Sequence, residues 1–239
     1  MITDPGLAAF INGIDKGNTP FLEEILHEAL KENVPVIRRE MQSFLRTLLL
    51  LRKPRTVLEI GTATGFSALL MAEYSPEECR ITTIENYEKR IPKALDNFKR
   101  SGRAAQIDFI QGDAGDVLKR LEGKYDLIFL DAAQGQYIRY LDDLKRLMEP
   151  GSVLLADNVL KDGDICRSRF LTERRDRTIH KRMRDFLFAL KGDDDLETSI
   201  LPLGDGAAFC VMKDRPCGRD SCSAPGNSIK KDGPDDKET

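Results

Sequence analysis

Apolar and polar positions follow two regimes along the chain. Over residues 4–53 the spacing is helical. Leu7, Phe10 and Ile11 share a face, Pro20 opens PFLEEILHEALKEN at a favourable first-turn position, and Ile37, Met41, Phe44, Leu45, Leu48 and Leu49 recur every three or four residues. From residue 56 the pattern changes. Short apolar runs at 56–60, 80–84, 106–110, 126–130 and 152–156 each precede a stretch of helical spacing. That alternation predicts an α/β fold, a doubly wound and mostly parallel sheet covered on both faces. Two further apolar runs, Thr198–Pro202 and Ala207–Met212, flank Leu203-Gly-Asp-Gly206 and predict a terminal hairpin. Residues 213–239 lose periodicity, are rich in Pro, Gly, Ser and charge, and read as a disordered tail. The expected organisation is a helical N-terminal embellishment at 1–53, an α/β domain at 54–212 and a tail at 213–239.

Composition narrows the partners. With 239 residues and 41% hydrophobic content the chain can build a sizeable core. No apolar run reaches the length that spans a bilayer, and MITDPGLAAF lacks a basic segment followed by an apolar one, so the expected location is cytoplasmic. The net charge of −3 confines any nucleic-acid role to a local basic patch. Five scattered cysteines without a C-x-x-C pair, and two histidines, His27 and His180, argue for free thiols rather than a zinc site. His27 reads as a helix-surface or packing residue, and His180 as a surface residue.

The chemistry gathers around Thr56-Val-Leu-Glu-Ile-Gly-Thr-Ala-Thr-Gly-Phe-Ser67. An apolar strand, a loop bracketed by Gly61 and Gly65, and a helix from Phe66 to Tyr74 form a β-turn-α unit. Glycines let its backbone approach a ligand, and the helix start offers unpaired N–H groups. Glu85, at the end of the next strand, is placed to hold ribose hydroxyls. The spacing G-x-x-x-G differs from the G-x-G-x-x-G of NAD enzymes. Two later strands end in Asp131 and in Asp157-Asn158, at the edge where such sheets bind ligands. Two carboxylates and an amide oxygen are hard donors suited to Mg²⁺. The alternative is that both aspartates only cap the helices that follow.

The motif E-I-G-x-x-x-G-x-S resembles motif I of class I S-adenosylmethionine (AdoMet) methyltransferases. Joined with T-I-E, G-D-A, D-A-A and D-N-V, it is similar to the metal-dependent catechol and caffeoyl-CoA O-methyltransferases over roughly residues 20–212. That resemblance implies a seven-stranded sheet. It also implies an AdoMet pocket lined by Glu59, Gly61, Thr62, Gly65, Ser67, Glu85, Asp113, Ala114 and Asp131, and a divalent metal on Asp131, Asp157 and Asn158. Within the group, D-A-A-x-G-Q-Y followed by D-N-V-L-x-x-G looks most like the bacterial tRNA 5-hydroxyuridine methyltransferases, which make 5-methoxyuridine at the wobble position. One departure is Gln134, where the family usually has the lysine that is the candidate base.

Between 167 and 184 eight Lys/Arg stand against two acidic residues. Arg167, Arg169, Arg174, Arg175 and Arg177 are candidates for tracking a tRNA anticodon loop, with Tyr137 or Phe66 available to stack on a base. The competing reading is a solvated helix whose Phe170, Ile179, Met183 and Phe186 face inward. The expected activity is therefore AdoMet- and Mg²⁺-dependent O-methylation of tRNA 5-hydroxyuridine. The alternatives are the same chemistry on a catechol-like or caffeoyl-CoA-type small molecule, and a non-catalytic AdoMet- or RNA-binding module. Val34-Pro-Val36 is expected to cover one side of the cofactor pocket, and the apolar helical faces at 20–51 suggest a homodimer.

Overall fold

The computed structural model describes residues 3–167 and 173–214. The N-terminal region is three helices, α1 (Pro5–Ile14), α2 (Pro20–Lys31) and α3 (Arg39–Arg52). Asp4 caps α1 by accepting the Leu7 N–H at 2.9 Å, and Pro20 occupies the first turn of α2. The third helix begins at Arg39 rather than at Ile37. Pro35 disfavours a helical Val34, so the chain runs on as a strap to Arg38, whose ψ is 156°. Gln42 holds this strap to α3 by donating from Nε2 to the Ile37 carbonyl at 2.7 Å.

The β-α succession then runs β1 (Thr56–Ile60), α4 (Phe66–Tyr74), β2 (Arg80–Glu85), α5 (Ile91–Arg100), β3 (Ile107–Gln111), α6 (Ala114–Arg120), β4 (Leu127–Leu130), α7 (Tyr137–Arg146), β5 (Val153–Ala156), α8 (Arg177–Gly192), β6 (Leu196–Leu201) and β7 (Ala207–Met212). Seven strands form one sheet in the order β3-β2-β1-β4-β5-β7-β6, with only the β7 pairings antiparallel. The predicted fold is the observed one.

Small boundary shifts have local causes. The third strand starts at Ile107 because Ala104–Gln106 forms a 3₁₀ turn. The fourth starts at Leu127, one residue late, and the Asp126 carboxylate just before it accepts the Arg55 N–H at 2.6 Å. Within the terminal hairpin β6 begins at Leu196, two residues before the expected Thr198, and buries that leucine.

Alternate residues of the central strands feed two cores. Leu127 and Phe129 of β4 face Leu45, Leu69 and Leu155, together with Leu22 and Met41 of the N-terminal helices. Ile128 and Leu130 face Tyr137, Leu144 and Phe186 on the other side. Helices α2 and α3 thus share one core with the sheet. Strand order reverses between β1 and β4, which opens a crevice at the carboxyl ends of the central strands. Among the described residues no helix is long and apolar enough to cross a membrane. Phe129 is fully buried at the sheet centre. Phe129→Ala is expected to lower unfolding free energy by about 3–5 kcal/mol in a denaturant titration.

Candidate active site

The crevice is a cleft of about 570 Å³. Its floor is set where the loop after β1 meets the end of β4. A Cβ on Gly61 would lie 1.9 Å from the Asp131 carbonyl oxygen, and Gly61 has a φ of +104°. Only glycine fits both conditions. Gly65 has a φ of +85°, and a Cβ there would meet the Phe98 ring at 2.6 Å. That glycine starts α4 and packs on α5; it is not on the cleft wall.

Of the expected cofactor residues, Gly61, Thr62, Ser67, Glu85, Asp113, Ala114 and Asp131 line the cleft. Glu85 is stationed by three backbone donors. Ala63 N–H reaches one oxygen at 2.8 Å, and Asn86 and Tyr87 N–H reach the other at 2.9 and 2.8 Å. These bonds aim the carboxylate while leaving lone pairs for hydroxyl donors. Asp113 caps α6 by accepting the Gly115 N–H at 2.9 Å.

Glu59 lies behind the wall, fully buried. Thr83 donates to its carboxylate, and the Thr62 hydroxyl stands 2.5 Å from that of Thr83. Burial pushes the Glu59 carboxyl up to about 7; hydrogen bonds from Ser67 and Thr83 oppose this, and the charges of Asp131 and Glu85 add to it. Glu59 therefore reaches the cleft through Thr83 and Thr62.

The acidic end of the site joins β4 and β5. The Asp157 N–H donates to the Leu130 carbonyl at 3.0 Å, setting the two strand ends side by side. Asp157 Oδ1 accepts the Asn158 N–H at 2.7 Å, and Asn158 adopts a left-handed φ of 59°. Asp131 and Asn158 open to the cleft, whereas Asp157 is buried beneath them. The two carboxyls titrate as a pair. Burial raises Asp131 to about 6, and burial followed by the charge of Asp131 raises Asp157 to about 8. Among the described residues no cluster of three or more His, Cys, Asp or Glu side chains could hold a metal. The candidate donors are instead two carboxylates and one amide. Desolvated, mutually repelling carboxylates are short of positive charge, and their oxygens suit a hard divalent cation.

Several expected substrate residues are placed elsewhere. Tyr137 is fully buried, with its hydroxyl accepting the Ala132 N–H at 3.1 Å and lying 3.3 Å from the Leu130 and Asp157 carbonyls. It braces the two acidic strand ends and cannot stack on a substrate base. Phe66 borders the cleft but is buried, its side chain belonging to the core beneath it. Gln134 sits off the cleft wall, which carries Gln136 instead. His180 is buried rather than exposed, with Nε2 3.2 Å from the Arg167 carbonyl. Met183 and Phe186 pack inward as the helical spacing required.

Arg167, Arg174, Arg175 and Arg177 do not line the cleft. Arg167 pairs with Asp164 and Arg175 with Glu173, while Lys181 pairs with Asp185. Arg169 and Phe170 lie outside the described residues, as do residues 215–239 of the expected tail. The strap does cover one side, through Pro35, Val36, Ile37 and Arg38. Arg38, Arg90, Tyr140 and Asp205 on the wall carried no signal of their own in the sequence.

Residues 14–213 match the O-methyltransferase family. A catechol O-methyltransferase of Niastella koreensis is 31% identical over 179 residues, covering 71% of this chain and 79% of that protein. A caffeoyl-CoA O-methyltransferase of Medicago sativa is 32% identical over 208 residues, covering 77% and 81%. The S-adenosylhomocysteine (SAH)-bound structure of the Podospora anserina methyltransferase PaMTH1 superposes with a TM-score of 0.79 at 27% identity, covering 87% of this chain and 94% of that one. The chain belongs to the O-methyltransferase family and is an AdoMet-dependent methyltransferase.

Gly61→Ala is expected to cost about 3 kcal/mol or more and to weaken SAH binding, checked by denaturation and calorimetry. A second outcome concerns pH. Carboxyls raised in the folded state bind protons more tightly there than in the unfolded chain. Their contribution therefore favours folding at low pH and declines as pH climbs from the ordinary carboxylate range through about 8. For metal-free protein, Asp157→Asn is expected to raise the melting temperature at pH 8 more than at pH 5.

Proposed function

We propose that the protein transfers the AdoMet methyl group to one hydroxyl of a vicinal dioxygen pair on a small catechol- or caffeoyl-CoA-type acceptor. In this reading a divalent cation, Mg²⁺ foremost, is held by Asp131, Asp157 and Asn158. The observation that carries it is the convergence of Glu85, Asp131 and Asn158 on one cleft. The catechol and caffeoyl-CoA relatives support the same acceptor class. When bound, AdoMet supplies the electrophilic methyl and the cation lowers the acceptor hydroxyl's pKa. Glu85 would hold the ribose hydroxyls, with Asp113 beside the adenine. The wall holds no lysine or histidine among the described residues, so Gln134 has no substitute base of that kind. The acceptor proton would then leave to water, and placement of the two reactants would supply most of the acceleration.

The second reading is tRNA 5-hydroxyuridine, whose hydroxyl and neighbouring carbonyl form a similar oxygen pair. The observation in its favour is Arg182, which donates to the Gly135 carbonyl at 3.2 Å and so anchors basic α8 beside the cleft rim. Against it, part of the local charge is met within the chain, Arg167, Arg175 and Lys181 each pairing with a nearby carboxylate. Lys161 pairs with Asp176, and Arg184 donates to the Ile165 carbonyl at 2.8 Å.

Self-association belongs to the same proposal. Phe10 and Ile14 of α1 are 65% and 69% exposed, forming an apolar surface suited to a second copy. Light scattering on Phe10→Asp should show a monomer if this face forms the dimer.

The deciding assay offers labelled AdoMet with catechol, caffeoyl-CoA or tRNA lacking the modification, with and without EDTA. Cation-dependent label on the small acceptors, abolished in Asp157→Ala, is the expected result. Label confined to tRNA would establish the second reading instead. Gln134→Ala should keep kcat within about an order of magnitude, since loss of a true general base costs roughly 10²–10⁴-fold.

A further inference from the structure

Beside the acidic strand ends stands a three-part tie that the reaction outlined above leaves unused. The strap residue Arg38 reaches across to Asp205 in the β6–β7 turn. Its Nε donates to Asp205 Oδ2 at 2.9 Å, and its Nη2 lies 2.6 Å from Oδ1, a two-pronged pair. The stem of Arg38 also lies over the turn, since a Cβ on Gly204 would be 3.5 Å from Arg38 Cδ. Asp205 Oδ2 further accepts from Asn158 Nδ2 at 3.4 Å.

The turn itself is docked on the segment carrying Asn158. Val159 N–H donates to the Gly206 carbonyl at 2.9 Å and Leu160 N–H to the Asp205 carbonyl at 3.0 Å. A Cβ on Gly206 would strike Leu160 at 2.4 Å, so this contact has no slack. Both Arg38 and Asp205 are partly buried, with side-chain exposures of 33% and 18%, so their pairing is shielded from bulk solvent.

An asparagine can present either its oxygen or its nitrogen, and neighbouring hydrogen bonds decide which. A carboxylate beside Asn158 accepts only from the amide nitrogen, leaving the amide oxygen for another partner. We propose that Asp205, held in place by Arg38, is the positioning residue that orients the Asn158 amide oxygen toward a divalent cation. This rests on the cation reading of Asp131, Asp157 and Asn158 given above. The arginine has a second part. An unneutralised Asp205 would add a third negative charge to the Asp131–Asp157 pair. The charge of Asp205 raises the Asp157 pKa and that of Arg38 lowers it, in keeping with this arrangement. Outer partners of this kind hold a ligand's rotamer rather than touch the ion.

The test titrates Mn²⁺ into wild type, Asp205→Ala, Asp205→Asn, Arg38→Ala and Asp157→Ala, following free Mn²⁺ by electron paramagnetic resonance. Calorimetry measures SAH affinity and circular dichroism the fold of each. Asp205→Ala is expected to weaken Mn²⁺ binding about 10–100-fold, with SAH affinity changed less than about twofold. Asp205→Asn keeps one acceptor oxygen for Asn158 and should recover part of that loss; Arg38→Ala should lose less than Asp205→Ala. Wild-type Mn²⁺ affinity in Asp205→Ala, alongside abolished binding in Asp157→Ala, would overturn the proposal and keep the cation reading. An equal loss of SAH and Mn²⁺ binding would reduce Asp205 to a structural brace. Absence of Mn²⁺ binding by wild type would overturn both readings together. If Asp205→Ala does not fold, Asp205→Asn carries the comparison, and undiminished Mn²⁺ affinity there would count against the proposal.

Discussion

The site depends on one close approach, the backbone of Gly61 against the carbonyl of Asp131. There the cofactor loop of β1 and the acidic end of β4 touch without an intervening side chain. Parallel-sheet hydrogen bonding runs on past the strand ends, from Gly61 N–H to the Ile84 carbonyl and from Asp131 N–H to that of Ile60. Glu85 and Asp131 are thereby hung from the two strands that flank β1 in a rigid sheet rather than from loops. Precision of that kind comes from the core on both faces, where Phe129 and Ile128 point in opposite directions. Any side chain at residue 61 would pry the two halves of the cleft apart.

Around that contact the protein gathers negative charge where water is scarce. Glu59, Asp131 and Asp157 are all raised by burial, which marks them as unfavourable to the folded state at neutral pH. Such a concentration of desolvated carboxyls does not serve stability; strongly perturbed groups gathered in a cleft mark a functional site. Neighbours soften the cost. Thr83 donates to Glu59, Tyr137 braces the strand ends with its hydroxyl, and Arg38 faces Asp205. The N-terminal strap therefore both walls the cleft and brings a positive charge to its acidic rim.

The basic segment shows why charge counted along a chain differs from charge available at a surface. Its arginines and lysines find Asp164, Glu173, Asp176 and Asp185 close by, or backbone carbonyls. The pairs with Asp164, Glu173 and Asp185 are exposed and individually weak, so they lower the free charge of the segment without abolishing it.

Fold class and most of the site could be read from sequence because the rules involved are local. Apolar runs alternating with helical spacing specify a parallel sheet, and Gly61, Glu85, Asp131 and Asn158 each stand at a strand end, where chain direction alone sends them to one edge. Residue type and position suffice for that. Tertiary structure decided what depends on burial and on long-range pairing. Glu59 lies behind the wall, Tyr137 is a brace and His180 is buried, because each is covered by elements distant in the chain. Arg38 and Asp205 meet across 167 residues of sequence, and nothing in either one's neighbourhood announces the other. Periodicity reports which face a residue shares; only the packed chain determines what stands opposite it.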